Sequence, residues 1–126
     1  MAPTAPLILR RWSSRIRTED QDEYVSYIQD TGIEDYFATP GNVGCEMLLR
    51  DCGDGSTEVS TLSWWRSMES VRAFAGDDPD RARYYALDDR FLLEKPDRVG
   101  HHVVVIEGLG LLRRTVRRLR MGRSDG

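Results

Sequence analysis

Long apolar runs are missing from this sequence, and so is any excess of positive charge over the chain as a whole. No stretch approaches the roughly 18 consecutive apolar residues of a membrane-spanning helix. The opening residues, MAPTAPLILRRW, place their arginines after the short apolar run, the reverse of a secretory leader. Cytoplasm is therefore the expected location. Cysteine is scarce: Cys45 and Cys52 lie seven positions apart, with no CxxC spacing and no histidine nearby. That pattern argues against a metal site and leaves one thiol for a strand and one for a turn. What remains is ordinary globular material. The 126 residues suit a single domain, and 40% hydrophobic with 31% charged content is neither disordered nor fibrous.

Charge is unevenly spread. Residues 108–126 carry Arg113, Arg114, Arg117, Arg118, Arg120 and Arg123 against Asp125, a balance of +5, so the net −3 leaves −8 on residues 1–107. The acidic body disfavours nucleic acid. In the tail, Leu109, Leu112, Val116 and Leu119 recur at three- and four-residue intervals opposite the arginines, the pattern of an amphipathic helix. Such a tail suits docking on a partner or an anionic surface. It lacks the interleaved aromatics of a single-stranded nucleic-acid binder. The chain thus divides into a domain at 1–107 and a basic extension at 108–126.

Within the domain, LILRRW (7–12) alternates Ile8, Arg10 and Trp12 against Leu7, Leu9 and Arg11, which predicts a strand. Thr18 and the acids Glu19, Asp20, Asp22 and Glu23 predict a helix start, with Tyr24, Val25, Tyr27 and Ile28 on its buried stripe and Gly32 at its end. A loop through 33–42 follows, punctuated by Pro40-Gly41-Asn42. Strands at 43–51 and 56–65 flank the turn CGDGS, giving a hairpin. Ser67 caps a second helix that Gly76 ends, Pro79 suits the start of a short helix through Tyr84 or Tyr85, and GHHVVVIE (100–107) reads as a last strand covered on both faces. The order βαββαβ predicts a ferredoxin-like α+β fold, an antiparallel sheet with two helices on one face. Strands with two apolar faces then call for a second copy packed on the open side, so a homodimer is expected.

Several segments together resemble the antibiotic-biosynthesis monooxygenase-like family of dimeric α+β barrels. They are Arg10-Arg11-Trp12, the lead-in Pro40-Gly41-Asn42-Val43-Gly44, LSWWRSMESVRAFAG (62–76), RYYALDDRFLLE (83–94) and His101. The resemblance covers about residues 7–107. It implies a ligand cavity in each subunit between sheet and helices. Some members oxidise polycyclic aromatic polyketides with molecular oxygen and no metal or flavin, the substrate itself supplying the reducing carbanion. Others bind and degrade haem through a tryptophan at the junction of the third strand and second helix, a helix histidine and a first-strand asparagine. Trp65 matches that tryptophan, but the second helix holds no histidine and the first strand no asparagine, which disfavours haem.

Candidate site residues follow from the pattern and the resemblance together. Trp64 and Trp65 project to opposite faces, and the resemblance turns Trp65 toward the cavity, although a large aromatic is more often plain core. His101 and His102 also face opposite ways, so they cannot act as a pair. His101 is the candidate proton acceptor, and Arg10 the candidate stabiliser of oxyanion character. Arg10 inside an apolar face needs a partner, for which Glu46, Glu58 or an anionic ligand oxygen are the candidates. Trp12, Tyr24, Tyr27, Tyr36 and Tyr85 are candidates to hold a planar ligand, and Asp88 to orient His101 or Arg10. The expected activity is a cofactor-independent monooxygenase or related tailoring enzyme acting on an aromatic, polyketide-like molecule. Its alternatives are a non-catalytic small-molecule-binding dimer and a non-oxidative cyclase or isomerase.

Overall fold

The computed structural model describes residues 5–108. Strands β1 (Ile8–Arg17), β2 (Asn42–Asp51), β3 (Ser56–Trp65) and β4 (Gly100–Val103) form one antiparallel sheet in the order β2-β3-β1-β4. Helices pack on one of its faces, which is the ferredoxin-like α+β arrangement. The strand pairing runs the full length of the centre, from Ile8 opposite Trp65 to Arg17 opposite Ser56. Alternation along these two strands then sorts the side chains. Ile8, Arg10, Trp12, Ser14 and Ile16 face the helices together with Val59, Thr61, Ser63 and Trp65. β1 runs five residues beyond the expected segment at 7–12, because Ile16 and Ser14 keep the inward register and are fully buried.

The hairpin joining β2 to β3 forms where expected. Gly53 and Gly55 take positive φ, and the carboxylates of Asp51 and Asp54 accept from the amides of Gly53 and Ser56. At the other end of β2, Gly41 sits at φ 92°, and a Cβ there would come within 2.0 Å of the Ser70 Oγ. That close approach clamps the lead-in of β2 onto the start of α3 (Met68–Ala75), whose N-cap Ser67 accepts from the Ser70 amide and whose C-terminus stops at Gly76, φ 96°.

The first helical region departs from expectation. A tight turn at Thr18–Asp20 leads into α1 (Gln21–Ile28), a widened π turn at Gln29–Ile33, and α2 (Glu34–Ala38). Gly32 does not end the helix, and the predicted loop at 33–42 is helical as far as Ala38. Burial overrides the glycine signal: Ile33 and Tyr36 enter the core, and the extra residue of the π turn rotates them toward the sheet. Thr18 does not cap this helix either, for its hydroxyl pairs with that of Thr57.

The stretch between α3 and β4 arches over the helix face. Its short helix is α4 (Asp88–Phe91), not a turn starting at Pro79. Backbone groups around Pro79 are committed elsewhere: the carbonyls of Pro79 and Arg81 accept from Arg10, and Arg81 pairs with Arg98. Further along, the Leu93 amide donates to the Arg15 carbonyl, tacking the arch to the free edge of β1. The last strand is shorter than predicted. β4 ends at Val103, and Val103, Val105 and Ile106 are exposed within this chain instead of being covered on both faces. The proposed basic extension lies outside the described residues apart from Gly108.

Candidate functional site

A cavity lies between the inner face of the sheet, the α1–α2 region and the arch. Arg10 and Trp12 of β1 and Thr61 of β3 form its floor. Tyr24 and Ile28 of α1, Gly32 of the π turn and Tyr36 of α2 make one wall; Phe74 of α3 makes another. The arch closes it with Arg83, Tyr84, Tyr85, Asp88 and Val99. In this closed form the cavity measures about 30 Å³, room for a water molecule or two. Small-molecule sites run to roughly 300–1,000 Å³. As it stands, the cavity is therefore smaller than an aromatic ligand needs.

Arg10 holds the arch down. It is 2% exposed, and its Nη1 donates to the Pro79 carbonyl, its Nη2 to the Arg81 carbonyl at 3.0 Å. Nη1 also lies 3.2 Å from His101 Nε2, while His101 Nδ1 lies 2.9 Å from Asp80 Oδ1. A consistent reading gives His101 the Nδ1–H tautomer, donating to Asp80 and accepting from Arg10. Burial lowers the His101 pKa, the Asp80 hydrogen bond opposes that, and the Arg10 charge reinforces it. Both ring nitrogens are thus engaged, and the geometry suits His101 to holding Arg10 more than to accepting a ligand proton. The partners expected for Arg10 are replaced: Glu58 pairs with Arg50, and neither Glu46 nor Glu58 reaches Arg10. Burial also depresses the Arg10 pKa, opposed by the nearby Tyr36, Asp80 and Tyr85.

A second cation stands near the first. Arg83 Nη1 donates to the Phe74 carbonyl at 2.7 Å, and Arg83 Nη2 pairs with Asp35 at 3.2 Å. The Arg83 guanidinium lies 5.0 Å from the centroid of the Phe74 ring and that of Arg10 5.6 Å, so one aromatic ring serves two cations. Tyr85 donates to the same Asp35 carboxylate at 2.7 Å. Burial raises the pKa of Tyr24, Tyr36, Tyr84 and Tyr85, and all four phenols are protonated at neutral pH.

Of the residues singled out from sequence, Arg10, Trp12, Tyr24, Tyr36, Tyr85 and Asp88 converge on the cavity. Trp65, Tyr27 and His101 are not in its lining. Trp65 is wholly enclosed, with its Nε1 donating to Ser63 Oγ at 2.8 Å and its rings against Tyr36 and Phe74. Tyr27 stacks on Phe91 and accepts from the Leu87 amide. Asp88 orients neither His101 nor Arg10. Its Oδ2 accepts from the Tyr85 amide, bracing the arch at α4, and the orienting carboxylate of His101 is Asp80. Sequence reasoning passed over Asp80, Arg83, Thr61 and Phe74. Arg83, a cation directly before Tyr84-Tyr85 in an acidic stretch, offered a local signal; Asp80 offered none.

Among solved structures, the fold is that of antibiotic biosynthesis monooxygenase structures. A monooxygenase of Streptomyces coelicolor encoded by ActVA-Orf6, solved with the ligand nanaomycin D, superposes at a TM-score of 0.56 with 16% identity, over 86% of this chain and 95% of that one. A Nitrosomonas europaea protein described as a candidate antibiotic biosynthesis monooxygenase gives 0.57 and 12%, over 83% and 96%. One from Bacillus cereus, described in the same way, gives 0.52 and 14%, over 82% and 95%. No family model matches the chain, and no curated protein matches it. At such identities the likeness establishes the fold, and the activity has to be argued from the site.

Proposed function

We propose that this protein binds a hydroxylated aromatic small molecule in the cavity and oxidises it with molecular oxygen, as a cofactor-independent monooxygenase or closely related tailoring enzyme. The observation that carries the reading is a nearly fully buried arginine at the floor of an aromatic cavity lined by protonated phenols. Such a guanidinium in low dielectric attracts charge that develops on a ligand oxygen as its proton leaves. The reaction balances without a resident cofactor. A phenol and one dioxygen give a quinone and one water, the substrate supplying all the electrons. In this scheme Arg10 steadies the oxyanion, Trp12, Tyr36 and Tyr85 hold the ring, and His101 with Asp80 positions Arg10. Trp65 backs the aromatic wall through Tyr36 and Phe74.

Two copies complete the reading. Leu9, Leu48 and Leu62 share the sheet face opposite the helices, and Val105 and Ile106 leave further apolar surface exposed just past β4, which supports a homodimer through that face. The test of the activity is oxygen uptake with a panel of quinone-forming phenols. Uptake matched by quinone absorbance, lost in Arg10→Ala in a folded protein, is expected. Binding without uptake would replace it with the second reading, a non-catalytic binding protein. One observation favours that second reading: both nitrogens of His101 are engaged, so no histidine base faces the ligand.

A further inference from the structure

The cavity contains an unmet hydrogen-bonding demand. Among the described residues, the buried side-chain atoms without a hydrogen-bond partner are the Tyr24 hydroxyl and Asp88 Oδ1. Both residues line the same cavity, Tyr24 from α1 and Asp88 from the arch, and both are almost wholly enclosed, at 0% and 3% exposure. They are near enough for the Asp88 charge to raise the Tyr24 pKa, yet they do not bond to one another. An unpaired buried polar atom is costly, and two of them on residues that line one small cavity call for a further group there that bonds to both.

That group is defined by what the pair offers. Asp88 Oδ2 is taken by the Tyr85 amide, so Oδ1 is left to accept. The Tyr27 phenol from α1 lies within hydrogen-bonding reach of the Asp88 carboxylate and favours its charged form, but makes no hydrogen bond of ordinary geometry to Oδ1. Lys95 also favours the charge, whereas burial and Asp89 oppose it. The Tyr24 phenol is protonated and has a proton to give. A group that both donates and accepts satisfies the pair: a water molecule does so, and so does a ligand hydroxyl that takes its place, whereas a carbonyl or ether does not.

We infer that Asp88 and Tyr24 form the subsite for a ligand hydroxyl, with Asp88 Oδ1 accepting its proton and the Tyr24 phenol donating to its oxygen. The inference rests on the reading of the cavity as an aromatic-ligand site and deepens it, for it names the functional group selected. A neutral phenol satisfies both partners, while its phenolate would set a negative oxygen against the Asp88 carboxylate. The pair also supplies a proton acceptor to the site. Transfer from the phenol to Asp88 would leave a phenolate and a carboxylic acid, with nothing else gained or lost.

The experiment is calorimetric titration of the full chain with p-nitrophenol and with its methyl ether p-nitroanisole, for the wild type, Asp88→Asn and Tyr24→Phe, each checked for fold by circular dichroism. Wild type should prefer p-nitrophenol, with the preference lost as pH rises through that probe's own ionisation. Asp88→Asn should weaken p-nitrophenol about tenfold without weakening p-nitroanisole, whose ether oxygen can accept from the new amide N–H. Tyr24→Phe should weaken both, since the ether oxygen also accepts. Equal binding of the two probes by wild type, or tighter binding of the phenolate, overturns the subsite while the cavity reading stands. If neither probe binds wild type, both fall together.

Discussion

Replacing Arg10 by methionine removes the guanidinium while keeping most of the apolar stem against Phe74. Three interactions go with it: the bonds to the Pro79 and Arg81 carbonyls and the contact with His101 Nε2. Each abandoned carbonyl that stays buried costs about 1–3 kcal/mol, a total of about 2–6 kcal/mol. Release of the buried charge offsets part of that, so a net loss of about 2–4 kcal/mol is expected. Loss should be concentrated in the arch. The Ala82 amide donates to the Asp97 carbonyl and the Val99 amide to the Asp80 carbonyl, both at 2.8 Å, on the segment Arg10 anchors. Urea unfolding gives the total, and amide hydrogen exchange at Ala82 and Val99 reports the arch separately. Arg10→Lys should recover little, because an ammonium cannot reproduce the fork toward two carbonyls. A change below about 0.5 kcal/mol with unaltered protection at those two amides would show that something other than Arg10 holds the arch, and the account of the closed cavity would fail.

Other consequences are open to simple measurement. Burial raises the Asp88 pKa in the folded chain, so the folded state binds the proton more tightly than the unfolded one, and stability falls as pH rises from Asp88's unfolded pKa through its raised folded one. Asp88→Asn, which keeps an oxygen for the Tyr85 amide, should therefore be more stable than wild type at neutral pH, with the gain shrinking toward zero in acid. A variant destabilised equally at every pH would contradict this. Sedimentation at micromolar concentration should show a dimer, and Leu62→Asp on the outer sheet face should yield folded monomers. A wild type that sediments as a stable single copy would leave the exposed β4 surface without its proposed cover.

The parts of this protein that were legible in its sequence are those whose physics closes within a few residues. Alternation along 8–12 placed Arg10 with Trp12 and Ile8; Ser67 and Gly76 bounded α3; the CGDGS turn set the hairpin register. Opposite projection of His101 and His102 likewise follows from the pleat, and pairing confirms that His101 lies beside Arg10 and His102 beside Leu9. Six of the nine proposed site residues reached the cavity lining because inward-facing aromatic and charged positions had few other places to go.

Tertiary structure decided the rest, wherever a residue's partner comes from far along the chain or is backbone. Gly32 reads as a helix end until Ile33 and Tyr36 need the core, and burial then carries the helix on to Ala38. Arg10 satisfies its charge on carbonyls about seventy positions away, which no residue pattern announces, since every residue has a carbonyl. Asp80 reaches His101, and Asp88 joins Tyr24 in one cavity lining, only because the arch folds back over the sheet. Composition and periodicity determine which side chains turn inward; which of them meet is settled by the path of the backbone that covers them.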